Sequence, residues 1–262
     1  MINFEMEKID KNIVSVIKEI LPDKELLSFL NGGSKRIRAK LAILLVKAFG
    51  CNVDSVFIDI LTVGELIHNA SLLHDDVIDD SELRRGVTTL GKKYSSNISI
   101  LCGDYVVSNA IKILLKLNNI EISNIFNNCV KNMSVAEIKQ YFQRGNEGKC
   151  GNIDDYIEIT NGKTAGLFST ILESSALHFN LDRELFKKFG ELFGICFQIK
   201  NDLEVYSAQE DKKNQVCTIV DILGIENAKI LSDNYKQELR VLLENVPENS
   251  YRLELEDIIN KL

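Results

Sequence analysis

The chain has 262 residues, 45% of them hydrophobic and 26% charged, with a formal net charge of −7. This length and balance suit a globular protein with a sizeable buried core and argue against a disordered chain or one dominated by membrane spans. The acid excess argues against general nucleic-acid binding, which needs a broad basic surface to release counterions.

Only two prolines occur, Pro22 and Pro247, and the long proline-free stretch between them favours helices over turn-rich β architecture. Apolar residues recur at helical spacing through Ile9, Ile13, Val16, Ile17 and Ile20. They recur again through Ile37, Leu41, Leu44, Leu45 and Ala48, with Asn31-Gly32-Gly33-Ser34 as the break between the two helices. Val56 to about Asp80 forms a long buried helix on Ile60, Val63, Leu66, Ile67 and Ala70. Further helices are expected over Ile98–Leu117, Ile122–Phe142, Lys163–Ala176, Glu184–Tyr206, Glu226–Leu243 and Tyr251–Ile259. Gly145, Gly148 and Gly151 read as a loop; no strand precedes them to make a phosphate cradle. No linker, repeat or charge block divides the chain, so one domain over 1–262 is the simplest organisation.

Cys51, Cys102, Cys129, Cys150, Cys196 and Cys217 are scattered without a C-x-x-C pair, and three histidines are too few to complete an obvious zinc site. They read as reduced, mostly buried thiols. Met1 to Lys11 lacks the apolar stretch and cleavage site of a secretory signal, and the cytoplasm is the expected compartment.

The chemistry concentrates at the end of the third helix, in Leu73-His74-Asp75-Asp76-Val77-Ile78-Asp79-Asp80-Ser81-Glu82-Leu83-Arg84-Arg85-Gly86. Asp75 and Asp79 are four residues apart, so both carboxylates leave one helix face a turn apart and suit a hard divalent cation such as Mg²⁺. A solvated acidic helix end is the plainer reading of the acids alone. Arg84 and Arg85 follow closely, and metal-bound carboxylates beside guanidinium forks suit a diphosphate. Gly33-Ser34-Lys35-Arg36-Ile37-Arg38 opens a helix with three cations, a place for a second anion. His68, nearly two turns before Asp75, shares the face of the acid pair.

On these residues the sequence resembles the trans-isoprenyl diphosphate synthases of the polyprenyl synthetase family. Gly33 to Arg38 is similar to the family's G-G-K-R-x-R-P, with Ser34 extra and Ala39 in place of Pro. His68 to Gly86 resembles the first aspartate-rich motif, D-D-x-x-D followed by R-R-G. Gly103-Asp104-Tyr105, Glu137 with Gln140, Lys163-Thr164 and Phe197-Gln198-Ile199 resemble, in order, the family's G-D-[YF], E-x-x-Q, K-T and F-Q-I segments.

The resemblance implies an all-α, single-domain isoprenoid-synthase helical bundle around a central apolar cavity, acting as a Mg²⁺-dependent prenyltransferase. It assigns Asp75, Asp79 and Asp202 to two or three Mg²⁺ ions. Lys35, Arg38, His68 and Arg85 would hold isopentenyl diphosphate, and Arg84, Lys163, Thr164 and Gln198 the allylic diphosphate. Electron withdrawal from that diphosphate ionises its C–O bond and the isopentenyl double bond attacks, so no side-chain nucleophile is needed. Ala70 and Ser71, five and four positions before Asp75, are small where bulky aromatics would stop growth. This implies an all-trans product of twenty carbons or more. A homodimer is expected from the resemblance.

The second aspartate-rich motif departs from the family pattern, reading Asn201-Asp202-Leu203-Glu204-Val205 with its first and last acids replaced. Glu204 is placed to add a carboxylate, Lys200 puts positive charge beside the site, and the segment beyond is blurred into Glu210-Asp211-Lys212-Lys213-Asn214. Two rival readings follow. A non-catalytic or partner-dependent subunit of a heteromeric synthase would tolerate the loss. A class I terpene cyclase shares Asn201-Asp202-Leu203, but has Val205 and Gln209 where its own motif needs Ser or Thr and Glu.

Overall fold

The structure, a computed structural model, describes residues 2–18, 35–84, 86–144, 150–207 and 217–262. Among these residues one short hairpin interrupts an otherwise helical chain. Those within Met1–Ile43 and Asn52–Ser123 make one compact unit, and those within Leu44–Cys51 and Asn124–Leu262 a second. No change of composition marks the division, which is why the sequence reads as one domain.

In the first unit α1 (Asn3–Lys18) buries Ile9 and Ile13, one turn apart, and packs on α3 (Ser55–Ile78). Arg36, just ahead of α2 (Ile37–Ala48), is 4% exposed and ties the two together, donating to Asp10 at 3.1 Å and Glu65 at 3.2 Å. Helix α3 starts where the Asp54 carboxylate accepts the Phe57 N–H at 2.8 Å, which satisfies one of the unpaired donors of its first turn. Phe57, Ile60, Leu61, Val63, Leu66 and Leu73 are all fully buried along it, so α3 is the core helix of this unit.

Helix α3 ends at Asp79, whose backbone N–H returns to the carbonyls of Asp75 and Val77. Asp80 then takes a left-handed φ of 48°, a conformation Asp tolerates better than most residues. The chain turns into strands β1 (Leu83–Arg84) and β2 (Val87–Thr88), paired antiparallel with Leu83 opposite Thr88, and continues through α4 (Leu90–Lys93) to α5 (Ser96–Leu117). Helix α5 crosses α3 closely because Gly103 lies under His74. A Cβ on Gly103 would sit 2.2 Å from His74 Nε2, so a side chain there would require the imidazole to move aside.

By length and apolarity α3 and α5 each suffice to cross a membrane; 72% of the apolar window of α3 is buried and 33% of that of α5. The first therefore reads as a core helix. The second exposes Leu101, Ile111 and Leu115.

The second unit holds most of α6 (Ile120–Arg144), then α7 (Ile153–Thr160), a π-helical turn (Asn161–Ala165), α8 (Gly166–Phe179), α9 (Arg183–Ser207), α10 (Ile219–Leu223), α11 (Ile225–Leu243) and α12 (Ser250–Asn260). Its core includes a cluster of Tyr156, Ala165, Ile195, Ile199, Ile219, Val220 and Ala228. Helix α9 packs along α8 and the π turn. It can do so because Gly194 carries no side chain: a Cβ there would lie 2.3 Å from Ala165 Cα.

The long helices fall where the apolar spacing puts them, with ends shifted by a few residues. Helix α7, the hairpin and the short α4 and α10 are too brief to show a period in the sequence. The π turn was expected as ordinary α-helix from Lys163. Two cysteines correct the sequence reading: Cys150 and Cys217, expected as reduced thiols, form a disulfide. Sequence spacing cannot reveal such a pair, because 67 residues separate them and folding alone brings their Cα atoms to 5.5 Å. Cys102, Cys129 and Cys196 are outside any disulfide and buried as expected, and Cys51, also unbridged, is half-buried.

Candidate active site

In the first unit the last turn of α3 presents Asp75 and Asp79, both half-buried, on one face. Asp76, between them in sequence, is buried. Its side chain is 1% exposed, and a single oxygen, Oδ1, accepts from both Nε and Nη2 of Arg84 at 2.6 Å. Oδ2 of Asp76 is buried without a hydrogen-bond partner. Burial pushes the Asp76 carboxyl above its ordinary range, opposed by the Arg84 guanidinium and helped by the negative charge of Asp79.

The pair fixes Arg84 on the hairpin just beyond the acids. Asp76 engages two of its five N–H donors, at Nε and one Nη2 position, leaving the Nη1 end of the fork outside this pair. Sequence reasoning missed Asp76 as the anchor of Arg84; its place between the two spaced acids, turned toward the buried side of the helix, was the available signal. Arg85, Gly33 and Ser34 lie outside the described residues.

Lys35 is exposed and Arg38 is 8% exposed. Arg36, counted among three cations for an anion, is itself buried and pairs with the half-exposed Asp10 and the buried Glu65. Upstream on α3, His68 is half-buried and its carbonyl accepts from Ser71 Oγ at 2.9 Å, while Ala70 is buried.

Two carboxylates on one helix face fit Mg²⁺, which binds through one or two carboxylates and completes its octahedron with water and substrate phosphate oxygens. Among the described residues no group of three or more His, Cys, Asp or Glu side chains is placed to hold an ion without such help.

In the second unit the π turn presents Lys163 and Thr164. A π turn widens the helix by one residue and re-aims the side chains on it, a device that recurs at functional sites. Lys163 Nζ pairs with the Glu137 carboxylate and donates to Gln140 Oε1 at 2.7 Å, so the E-x-x-Q pair on α6 orients this lysine. Thr164 Oγ1 donates to Gln198 Oε1 at 2.9 Å, and Gln198 Nε2 donates to Asp202 Oδ1 at 2.8 Å. Thr164, Gln198 and Asp202 thus form one hydrogen-bonded chain, and Lys163, beside Thr164 on the turn, pairs with Glu137 and Gln140.

Asp202 has a different setting from that of an open metal ligand. It is 7% exposed, and besides Gln198 it accepts the Tyr156 hydroxyl at 2.8 Å and the Ile219 backbone N–H at 3.0 Å, both on Oδ2. Three of its roughly four lone-pair sites are thus occupied from within the unit. Burial raises the Asp202 carboxyl above its ordinary range, and the bonds from Ile219, Tyr156 and Gln198 oppose that rise. Burial and the neighbouring Asp202 charge push the Tyr156 phenol up. Tyr156 was missed: it is 46 residues from Asp202, and no local pattern joins them.

Asn201 is half-buried and Glu204 exposed. Lys200 donates to the Lys261 carbonyl at 2.7 Å and lies 3.6 Å from Glu204. Glu210 to Asn214 lie outside the described residues.

The profile of the polyprenyl synthetase family matches residues 23–247. The chain is similar to a decaprenyl-diphosphate synthase of Dictyostelium discoideum, 30% identical over 75% of this chain and 43% of that protein. It is also 30% identical to an octaprenyl diphosphate synthase of Haemophilus influenzae, over 78% of this chain and 63% of the other. A Bacillus subtilis relative, heptaprenyl diphosphate synthase component 2, is 28% identical over 80% of this chain and 61% of its own. The matches thus span roughly two fifths to under two thirds of these curated relatives.

Among solved structures, a decaprenyl diphosphate synthase from Rhodobacter capsulatus shares the fold with a TM-score of 0.89 at 22% identity, covering 99% of this chain and 95% of that one. A geranyltransferase from Helicobacter pylori, complexed with magnesium and isoprenyl diphosphate, does so with 0.80 at 20%, covering 99% and 96%. With the motif residues of both units and the profile match over most of its length in agreement, the chain belongs to the polyprenyl synthetase family.

Proposed function

We propose that the chain is a prenyltransferase that condenses isopentenyl diphosphate with an allylic diphosphate to lengthen an all-trans polyprenyl chain. The observation that carries this reading is the end of α3, where Asp75 and Asp79 share a face and Asp76 holds Arg84 through Nε and Nη2. In this reading Asp75 and Asp79 hold Mg²⁺, two or three ions in all, which supplies Lewis acidity to the allylic diphosphate. Arg84, Lys163 and Thr164 bind that diphosphate and stabilise the charge it gains as the allylic C–O bond breaks. Lys163 is aimed by Glu137 and Gln140, and Thr164 by Gln198. Lys35, Arg38, His68 and Arg85 hold isopentenyl diphosphate. Its double bond attacks the allylic carbon, and the proton lost in closing the new double bond passes to the released diphosphate.

Small residues at Ala70 and Ser71, and the long products named for the relatives, support a product of twenty carbons or more. The exposed apolar residues of α5, Leu101, Ile111 and Leu115, support a homodimer in which a second copy covers them.

A second reading, a subunit that works only with a partner, is favoured by the engaged Asp202 and by the relative named as a component of a heptaprenyl synthase. One experiment separates them. The purified chain is incubated with Mg²⁺, labelled isopentenyl diphosphate and, in turn, dimethylallyl, geranyl and farnesyl diphosphate, and the products are resolved by length. Elongated products support the stand-alone enzyme. Folded protein that yields none with any primer overturns it and leaves the partner-dependent reading.

A further inference from the structure

Two segments far apart in sequence converge on the buried carboxylate of Asp202. Helix α7 brings the Tyr156 hydroxyl to Oδ2 at 2.8 Å, and α10 brings the Ile219 backbone N–H to the same oxygen at 3.0 Å. Each helix opens on a reciprocal cap, Asn152 with Asp155 on α7 and Thr218 with Asp221 on α10, so each N-terminus is a defined rigid start. Cys150 lies two residues before the first cap and Cys217 immediately before the second, and the disulfide joins them. The two helices also touch directly and share one apolar cluster through Tyr156, Ile219 and Val220. Both half-cystines are half-buried, whereas three of the four unbridged cysteines are buried.

We propose that Cys150 and Cys217 form a thiol–disulfide exchange site whose oxidised state clamps α7 and α10 onto Asp202. A dithiol reductant opens it: one thiolate attacks a sulfur of the pair to give a mixed disulfide, and the second displaces the remaining cysteine. The protein gains two thiols and the reductant leaves as its disulfide. With the bond open, the Ile219 N–H is held on Asp202 by packing alone, and that contact opens more often. Asp202 in turn orients Gln198, and Gln198 orients Thr164, so the exchange site acts on the diphosphate-binding end of the second unit through a positioning chain. This last link rests on the prenyltransferase reading; the clamp itself does not.

The test measures amide hydrogen exchange, which needs no substrate. The full chain is prepared oxidised with glutathione disulfide and reduced with dithiothreitol, and peptide mass spectrometry reports the 150–217 linkage in each. The clamp requires that the linkage forms in the oxidised sample and is lost on reduction. It further requires that exchange at Ile219 speeds up at least tenfold on reduction while the core amides of α9 stay slow. A Cys217→Ser chain must show the fast rate in both samples, and Cys51→Ser must behave as the parent. Free thiols at both positions in the oxidised sample, or an Ile219 rate indifferent to the linkage, overturns the proposal. In the activity assay, reduction is expected to raise KM for the allylic diphosphate several-fold with little change in kcat. A chain that passes the exchange test but turns over no substrate in either state refutes the prenyltransferase reading and leaves the clamp standing.

Discussion

Replacing Gly194 by Ala tests how the second unit builds its site. The added Cβ would lie 2.3 Å from Ala165 Cα, 2.7 Å from Ala165 Cβ and 3.1 Å from Ala165 N. Carbon atoms rest at about 3.5–4.0 Å, so α9 and the π turn must part by roughly 1 Å, and neither neighbour is a flexible side-chain tip that can swing aside. Overpacking of this kind costs about 1–3 kcal/mol. For a chain of this size that lowers Tm by about 2–4 °C per kcal/mol, or roughly 2–12 °C in all. The larger effect is expected in function, because Ala165 directly follows Lys163 and Thr164 on the turn. A displacement of about 1 Å at positioned groups can cost around a hundredfold in rate. Differential scanning calorimetry and steady-state turnover with an allylic diphosphate give the two readouts. Gly91→Ala is the control, since its Cβ meets nothing nearer than 3.7 Å. If Gly194→Ala leaves both Tm and turnover at parent values, close contact between α9 and the π turn does not hold the site, and the argument fails.

Arg84→Ala is expected to destabilise the chain by about 3 kcal/mol, because it strips a buried carboxylate of its cation, and to abolish binding of the allylic diphosphate. Urea unfolding checks the first and titration with an unreactive allylic analogue the second; a variant as stable as the parent refutes the role given to Asp76. The buried Cys196 thiol is pushed up to about 12 from its ordinary value of 9.0, chiefly by burial. The folded chain therefore holds that proton more tightly than the unfolded one, so this group's contribution to stability falls as pH rises through that interval. Iodoacetamide near pH 9 should leave Cys196 unmodified in the folded protein and label it after unfolding; labelling of the native chain would contradict the buried placement.

Much of this protein is written locally. The proline-free run and the 3.6-residue spacing of apolar side chains determine the long helices, since each needs only its own sequence to define the face it buries. The spacing of Asp75 and Asp79 likewise sets two carboxylates on one face before any tertiary contact is known. The motif order from Lys35 to Asp202 was sufficient to indicate the family. The partner of each polar group was not legible, because partnership depends on distance in space. Arg36 reads as a cation for an anion and is spent on Asp10 and Glu65. Asp202 reads as an open ligand and is a hydrogen-bond hub for Tyr156, Gln198 and Ile219. Cys150 and Cys217 read as separate thiols and are bonded. For Arg36 and Asp202 burial is what selects the partner. A polar group taken out of water must find one nearby, and only the folded chain determines which groups are near.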